Sequence, residues 1–246
     1  MADKYIDMNL DDALIEKPYC FSVETSGRDK RYYYLFPVTL GKMYVLKRHM
    51  DNLALNVENI KAQPYLEVLR VVKSNKEEVC RILTYHTLKK KRDIFDIPLV
   101  EERTRFFAEN LTEEELASTL IVILRMNSVD EFKIHLGISK EQDKLRELVE
   151  YKRKAQKNQS DISFGCKTIY GTLIDTACER YGWSYDYVLW GISFVNLQLM
   201  LADRQQSIFI SDEERKKIPS RLINRSDIIN ADDKENMEVI LSMNWK

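Results

Sequence analysis

Four cysteines, three histidines, five prolines and seven glycines are spread over 246 residues, and each scarcity excludes a class of protein. Cys20, Cys80, Cys166 and Cys178 lie far apart with no close pair, which leaves no basis for a disulfide scaffold or a paired-cysteine metal site. In a reducing compartment they serve as small buried hydrophobes. His49, His86 and His135 each stand alone on a predicted helix, without a carboxylate or cysteine at metal-ligand spacing. Core or surface roles are expected for them, and neither a metal nor any other cofactor. So few glycines and prolines argue against a many-turned sandwich, a β-solenoid or a low-complexity chain, and favour helices.

Net charge is also lacking. Against 38 basic side chains stand 39 acidic ones, a formal balance of -1, so no global field draws the chain to nucleic acid or anionic lipid. The two basic clusters, Lys89 to Arg92 and Lys152 to Lys157, fall at predicted helix C-termini, where the dipole favours cations. Binding to nucleic acid would require them to merge on one face and is not expected. The longest apolar stretch, Tyr187 to Ala202, is broken by Ser193, Asn196 and Gln198. It falls short of the roughly 20 residues that span a bilayer and reads as a core helix, with no membrane partner. The leader from Met1 to Asp12 has four acidic residues, one lysine and no apolar core, unlike a secretory or transit peptide. A cytoplasmic protein is expected.

Catalytic signatures are missing as well. There is no nucleophile elbow and no paired-histidine motif, and most carboxylates sit beside opposite charges, as on solvated helix faces. Gly165-Cys166-Lys167-Thr168 resembles the end of a phosphate-binding loop in outline only. A cysteine separates its glycine from its lysine, and Ser160 stands where the first glycine belongs. No enzymatic activity is expected.

What the chain does contain is local structural punctuation. Tyr19 to Glu24 and Arg31 to Val38 alternate large and small side chains around the turn residues Ser26-Gly27-Arg28-Asp29, which predicts a β-hairpin. Pro37 places the exit of the second strand at an edge. Thr39 then caps a helix whose Met43, Leu46, Met50 and Leu53 recur at helical spacing. Five Ser/Thr residues are followed three positions later by Glu or Gln: Ser74/Glu77, Thr112/Glu115, Ser128/Glu131, Ser139/Gln142 and Ser211/Glu214. Each has the form of a capping box. Helices are predicted near 40–54, 64–73, 75–91, 100–109, 113–126, 129–136 and 140–157, with Gly137 as a left-handed stop. Two more are expected, Cys166 to Tyr181 ending at Gly182, and Tyr185 to about Asp203 capped by Ser184 and Asp186. A short amphipathic element follows at Glu235 to Met243.

The fold class is therefore mainly α, a multi-helix globular bundle with an N-terminal β-hairpin and a mobile C-terminal tail. Its expected divisions are a polar leader over 1–14, a hairpin plus helical domain over 15–158, an aromatic helical hairpin over 159–210 packed on it, and a polar tail over 211–246. Asn158-Gln-Ser-Asp161 marks the main internal boundary. Between residues 181 and 194 stand Tyr181, Trp183, Tyr185, Tyr187, Trp190 and Phe194, a density of rings greater than one helix buries against a small core. A well-packed pair of helices and a contact surface for another polypeptide are both consistent with it, because Trp and Tyr are the commonest hot-spot side chains. These six are the candidate partner-binding residues. Gly191 and Ser193 lack bulk and leave room for another helix to approach.

The aromatic strand leading into Phe36-Pro-Val-Thr-Leu-Gly-Lys42, the helices after it, and Tyr181-Gly-Trp-Ser-Tyr-Asp-Tyr187 with Trp190 and its Leu/Met-rich continuation together resemble tail assembly chaperones of long-tailed bacteriophages. The similar pieces are residues 31–56 and 172–205. The resemblance implies a mostly helical, non-catalytic protein that coats the hydrophobic tape-measure protein until tail-tube subunits displace it. It also implies self-association into a homo-oligomer and residence in the host cytoplasm. Two other readings stand beside it, a structural or adaptor subunit of a virion or contractile injection machine, and a helical nucleic-acid-binding module.

Overall fold

The computed structural model describes residues 9–25, 27, 29–127, 129–155, 168, 170–203, 210, 211, 218, 219 and 222. It is mainly helical with a two-stranded N-terminal hairpin, as composition and patterning predict. The chain divides into two compact units, residues 1–136 with 164–204, and residues 137–163 with 205–246. The C-terminal helix expected at 235–243, the tail and the boundary segment at 158–161 lie outside the described residues.

In the first unit, β1 (Tyr19–Glu24) pairs antiparallel with β2 (Lys30–Leu35), matching Tyr19 with Leu35 and Glu24 with Lys30. Alternation sends Val23 and Leu35 fully inward, and between them Phe21 and Tyr33 meet Phe107 at ring distances of 6.0 and 4.9 Å. Cys20, Tyr32 and Tyr34 occupy the opposite, exposed face.

Helices build the rest of the unit. α1 (Leu40–Asn52) starts where the Thr39 hydroxyl accepts from the Lys42 N–H. After it come α2 (Val57–Ala62), α3 (Pro64–Ser74) and α4 (Lys76–Thr87), then the short α5 (Lys91–Ile94), α6 (Ile97–Asn110), α7 (Glu113–Met126) and α8 (Val129–His135). α4 is central: it packs on α1, α6 and α7, while α3 covers α7. Val68, Val71, Val72, Val79, Ile82, Leu83, Phe107, Leu116 and Leu120 form the main core beneath the hairpin.

Of the five predicted capping boxes, Thr112/Glu115 forms in full, each partner bonding the other's backbone N–H. Two are corrected. Ser74 ends α3 and turns its hydroxyl back to the Arg70 carbonyl at 2.6 Å, leaving Asn75 at the head of α4. Ser139 lies inside its helix, because the Gly137 carbonyl already accepts from Glu141. The boxes at Ser128 and Ser211 involve residues outside those described. The helix expected to run to residue 91 stops at Thr87, and α6 begins at Ile97, three residues early, because Asp96 caps it and Pro98 suits its first turn.

α2 has no counterpart in the sequence reading. It is held from outside: the Glu67 carboxylate, buried in α3, accepts from the Asn56 N–H at 2.9 Å, the Asn59 amide at 3.2 Å and both Nε and Nη2 of Arg70. These donors, Arg70 foremost, hold the Glu67 carboxyl down to about 2 from its ordinary 4.5. Because the folded form keeps the proton off, this contribution is complete above pH 4.5 and is lost as pH falls toward 2. A Glu67→Gln variant is therefore expected to be less stable than the parent at neutral pH, with the gap closing on acidification. Urea midpoints across that range check it.

After a π-helical turn, Tyr170–Asp175, come α9 (Thr176–Tyr181), α10 (Tyr185–Trp190) and α11 (Phe194–Ala202). The second unit contains a long amphipathic helix, Ile138–Ala155, with Lys152, Arg153 and Lys154 in its last turn, as the dipole argument expects. Gly137 precedes it at φ +73°, the left-handed stop read from the sequence.

The single helix predicted from Tyr185 to Asp203 is two helices, and the break has tertiary causes. Ser193 adopts an extended conformation, bridges Thr39, and caps α11 by accepting from the Asn196 N–H. Phe194 donates to the Val38 carbonyl at 2.7 Å, and Ser193 donates to the Glu16 carboxylate at 2.7 Å. Three contacts from distant sequence thus satisfy the backbone groups that a continuous helix would have paired internally.

Candidate partner-binding surface

α9 ends because Gly182 takes φ +66°, a left-handed conformation open to glycine at little cost, and the chain restarts where Ser184 accepts from the Tyr187 N–H. That turn sets three rings in a ladder. Tyr181 stacks on Trp183 at 4.6 Å, Trp183 meets the edge of Tyr187 at 5.2 Å, and the Tyr181 hydroxyl donates to the Met200 carbonyl at 3.0 Å, tying α9 to α11.

The six candidate residues separate by depth. Tyr185 and Tyr187 are exposed at 53% and 44%. Tyr181, Trp183 and Phe194 are half-buried against Leu40, Ile174, Ala177, Val188 and Leu197. Trp190 is half-buried against Leu88, Ile94 and Val100, and its indole lies on Gly41 so closely that a Cβ there would stand 2.7 Å from the ring. The two small residues identified in the sequence have different partners from those expected. The Tyr187 ring occupies the space beside Gly191, leaving no room for a Cβ there, and Ser193 bridges Thr39 while the next residue, Phe194, donates to the Val38 carbonyl.

Two exposed apolar residues beside this surface escaped the sequence reading. Phe95, 59% exposed, meets the Trp190 ring edge-on at 5.7 Å, and Ile97, 67% exposed, opens α6 two residues later. The signal was available in Phe95-Asp-Ile-Pro98, two apolar residues flanking a helix cap. An ion pair borders the rings: Lys91 binds Asp186 at 2.6 Å and its ammonium lies 5.6 Å from the Trp190 ring centre.

The other candidate chemistry is sparse. Among the described residues no group of His, Cys, Asp and Glu could hold a metal ion. Cys20, Cys80 and Cys178 are free, and burial pushes the Cys80 thiol up to about 11, which leaves it inert. His86 is a core residue. His49 gains a partner that spacing could not reveal, the Glu78 carboxylate at 2.7 Å, supplied by the packing of α4 on α1. A cleft of about 270 Å³ beside Phe21, Ser22 and Leu111 contains Glu114 and Glu115, but Glu115 is already committed to its cap. No helix among the described residues is long and apolar enough to cross a membrane. The chain matches no known family model, no curated protein and no solved structure, so its own residues carry the functional reading.

Proposed function

We propose that this protein is a non-catalytic tail assembly chaperone of a long-tailed bacteriophage, binding the hydrophobic tape-measure protein through the aromatic surface around α10. The observation that carries the reading is the exposure of Tyr185, Tyr187, Phe95 and Ile97 around a half-buried Trp190. Such a surface suits an apolar polypeptide. Phe95 and Tyr187 rest against the rings of Trp190 and Trp183 and lose little side-chain freedom on binding. The Lys91–Asp186 pair leaves no unpaired charge from either residue to be desolvated under the client. Self-association into a homo-oligomer would array several such faces along an extended client, in the cytoplasm of the infected host.

Co-expression with a tape-measure-type protein, followed by affinity capture, tests the proposal. Replacing Tyr185 and Ile97 together with alanine removes two exposed apolar side chains, together worth about 2 kcal/mol at a contact surface, so captured client should fall by more than tenfold. Helical content and thermal midpoint should stay near the parent's. Undiminished capture by this double variant would refute the assignment.

A further inference from the structure

Among the described residues β1 and β2 form a two-stranded sheet, so each strand has one edge turned away from its partner. In an antiparallel ladder, pairs that exchange N–H and C=O bonds alternate with pairs that do not. The Thr25 N–H donates to the Asp29 carbonyl at 3.0 Å, which places Val23/Arg31 and Phe21/Tyr33 in the bonded class. Cys20, Ser22 and Glu24 therefore direct their N–H and C=O groups to the outer edge of β1. Phe36 agrees with this parity on the other strand, since its N–H points away from β1 and donates to the His86 carbonyl at 2.9 Å.

The two edges differ in protection. β2 starts with Lys30 and Arg31, meets the last turn of α4 through Phe36, and is followed by Pro37, which cannot donate; such features keep an edge from pairing. β1 has six residues in unbroken register, without lysine or proline. Among the described residues no backbone group of another element pairs with its outer edge. A free row of N–H and C=O groups of this kind accepts an added strand. The cleft of about 270 Å³ runs along that edge. Phe21 and Ser22, consecutive residues whose side chains point to opposite faces, line one side, and Leu111, Glu114, Ser118 and Thr119 line the other.

Charge indicates the occupant. Glu113, Glu114 and Glu115 stand in the first turn of α7, and their carboxylates outweigh the roughly half positive charge of a helix N-terminus. Glu115 is held by Thr112, whereas Glu114 lines the cleft and makes no hydrogen bond or ion pair among the described residues. A second copy pairing edge to edge would bring the acidic α7 starts of both copies to one junction, which like-charge repulsion opposes. We propose that the outer edge of β1 takes an extended basic segment of a partner protein as a third strand. Its main chain bonds to Cys20, Ser22 and Glu24, and a lysine or arginine side chain enters the cleft against Glu114. The site shares no residue with the aromatic surface around α10.

A labelled peptide of about six residues alternating lysine with valine, the length of an ordinary strand, tests the site on the full chain. Saturable binding is expected, at least about tenfold tighter than for the analogue with glutamate in place of lysine. Bound peptide should slow amide hydrogen exchange at Cys20, Ser22 and Glu24, and leave Phe21 and Val23, already paired with β2, nearly unchanged. Glu114→Lys, a change at an exposed side chain, should weaken binding by more than about tenfold. Ser22→Pro removes an N–H that the hairpin does not use and should weaken it by about tenfold, with helical content retained. Absence of saturable binding, binding that leaves those three amides unprotected, or full affinity in Glu114→Lys overturns the proposal. Dimerisation of the parent that protects the same amides without peptide assigns the edge to a second copy and equally overturns it.

Discussion

Replacing Lys42, 2% exposed in the first turn of α1, with methionine is expected to stabilise the folded protein by about 1 to 3 kcal/mol near neutral pH, up to the equivalent of the ammonium's fall from 10.5 to about 8. Methionine keeps the length and apolar stem of lysine and removes only the charge, so packing in the first turn of α1 is retained. The pH dependence identifies the cause. Between about 8 and 10.5 the unfolded chain holds a proton that the folded chain has released, so the parent gains stability as pH rises through that window. Below it the penalty is complete, and above it the parent and Lys42→Met should converge. Denaturant unfolding of both proteins on either side of the window checks the magnitude and the sign. A parent whose stability stays flat from neutral to strongly alkaline pH would show that the ammonium is not excluded from water.

The opposite change is expected at Trp190. Truncation to alanine empties the space shared by Gly41, Phe95, Leu88, Ile94 and Val100, and should cost about 3 kcal/mol, the lower end for a buried tryptophan because this one is only half-buried. Gly41 gives the independent test. In the parent, Gly41→Ala drives a methyl to 2.7 Å from the indole and should destabilise by about 1 to 3 kcal/mol. In the Trp190→Ala background the obstruction is gone, and alanine's better helix propensity, worth up to about 1 kcal/mol, should make the same substitution neutral or stabilising. This reversal of sign, read as a double-mutant cycle from chemical denaturation, measures the contact directly. If Gly41→Ala costs the same in both backgrounds, the indole does not rest on residue 41. The pair also separates structure from binding. Trp190 holds α10 against α1 and α5, whereas the exposed Tyr185 and Ile97 can be removed with little loss of fold.

The parts legible in the sequence were those governed by near neighbours. Alternation over Tyr19 to Glu24 and the turn after it specified the hairpin, and Thr39, Thr112, Ser184, Gly137 and Gly182 marked helix ends through hydrogen bonds or dihedral angles confined to a few residues. Where a local signal had competing solutions, spacing misled. Ser74 has the right interval to Glu77 but its hydroxyl finds the Arg70 carbonyl first, since the preceding helix is still intact there. α2 was missed because its support comes from Glu67 in the next helix. The break at Gly191 to Ser193 was missed because Glu16 and Val38 supply the hydrogen bonds that make it favourable.

The aromatic surface divides in the same way. Its ring-rich composition was visible as a list of six residues, and the exposure that separates Tyr185 and Tyr187 from the other four was not. Depth depends on what packs opposite, and the residues opposite Trp190 come from α1 and from Leu88 to Val100, about a hundred positions or more away in the chain. The sequence by itself determined a mainly helical protein, its hairpin and most of its helix ends, because dihedral preference, capping and periodicity act over one or two turns. Tertiary structure alone decided that the Lys42 and His86 side chains are buried, and which rings face outward. Those outcomes depend on burial and on partners from distant segments, quantities that no local window contains.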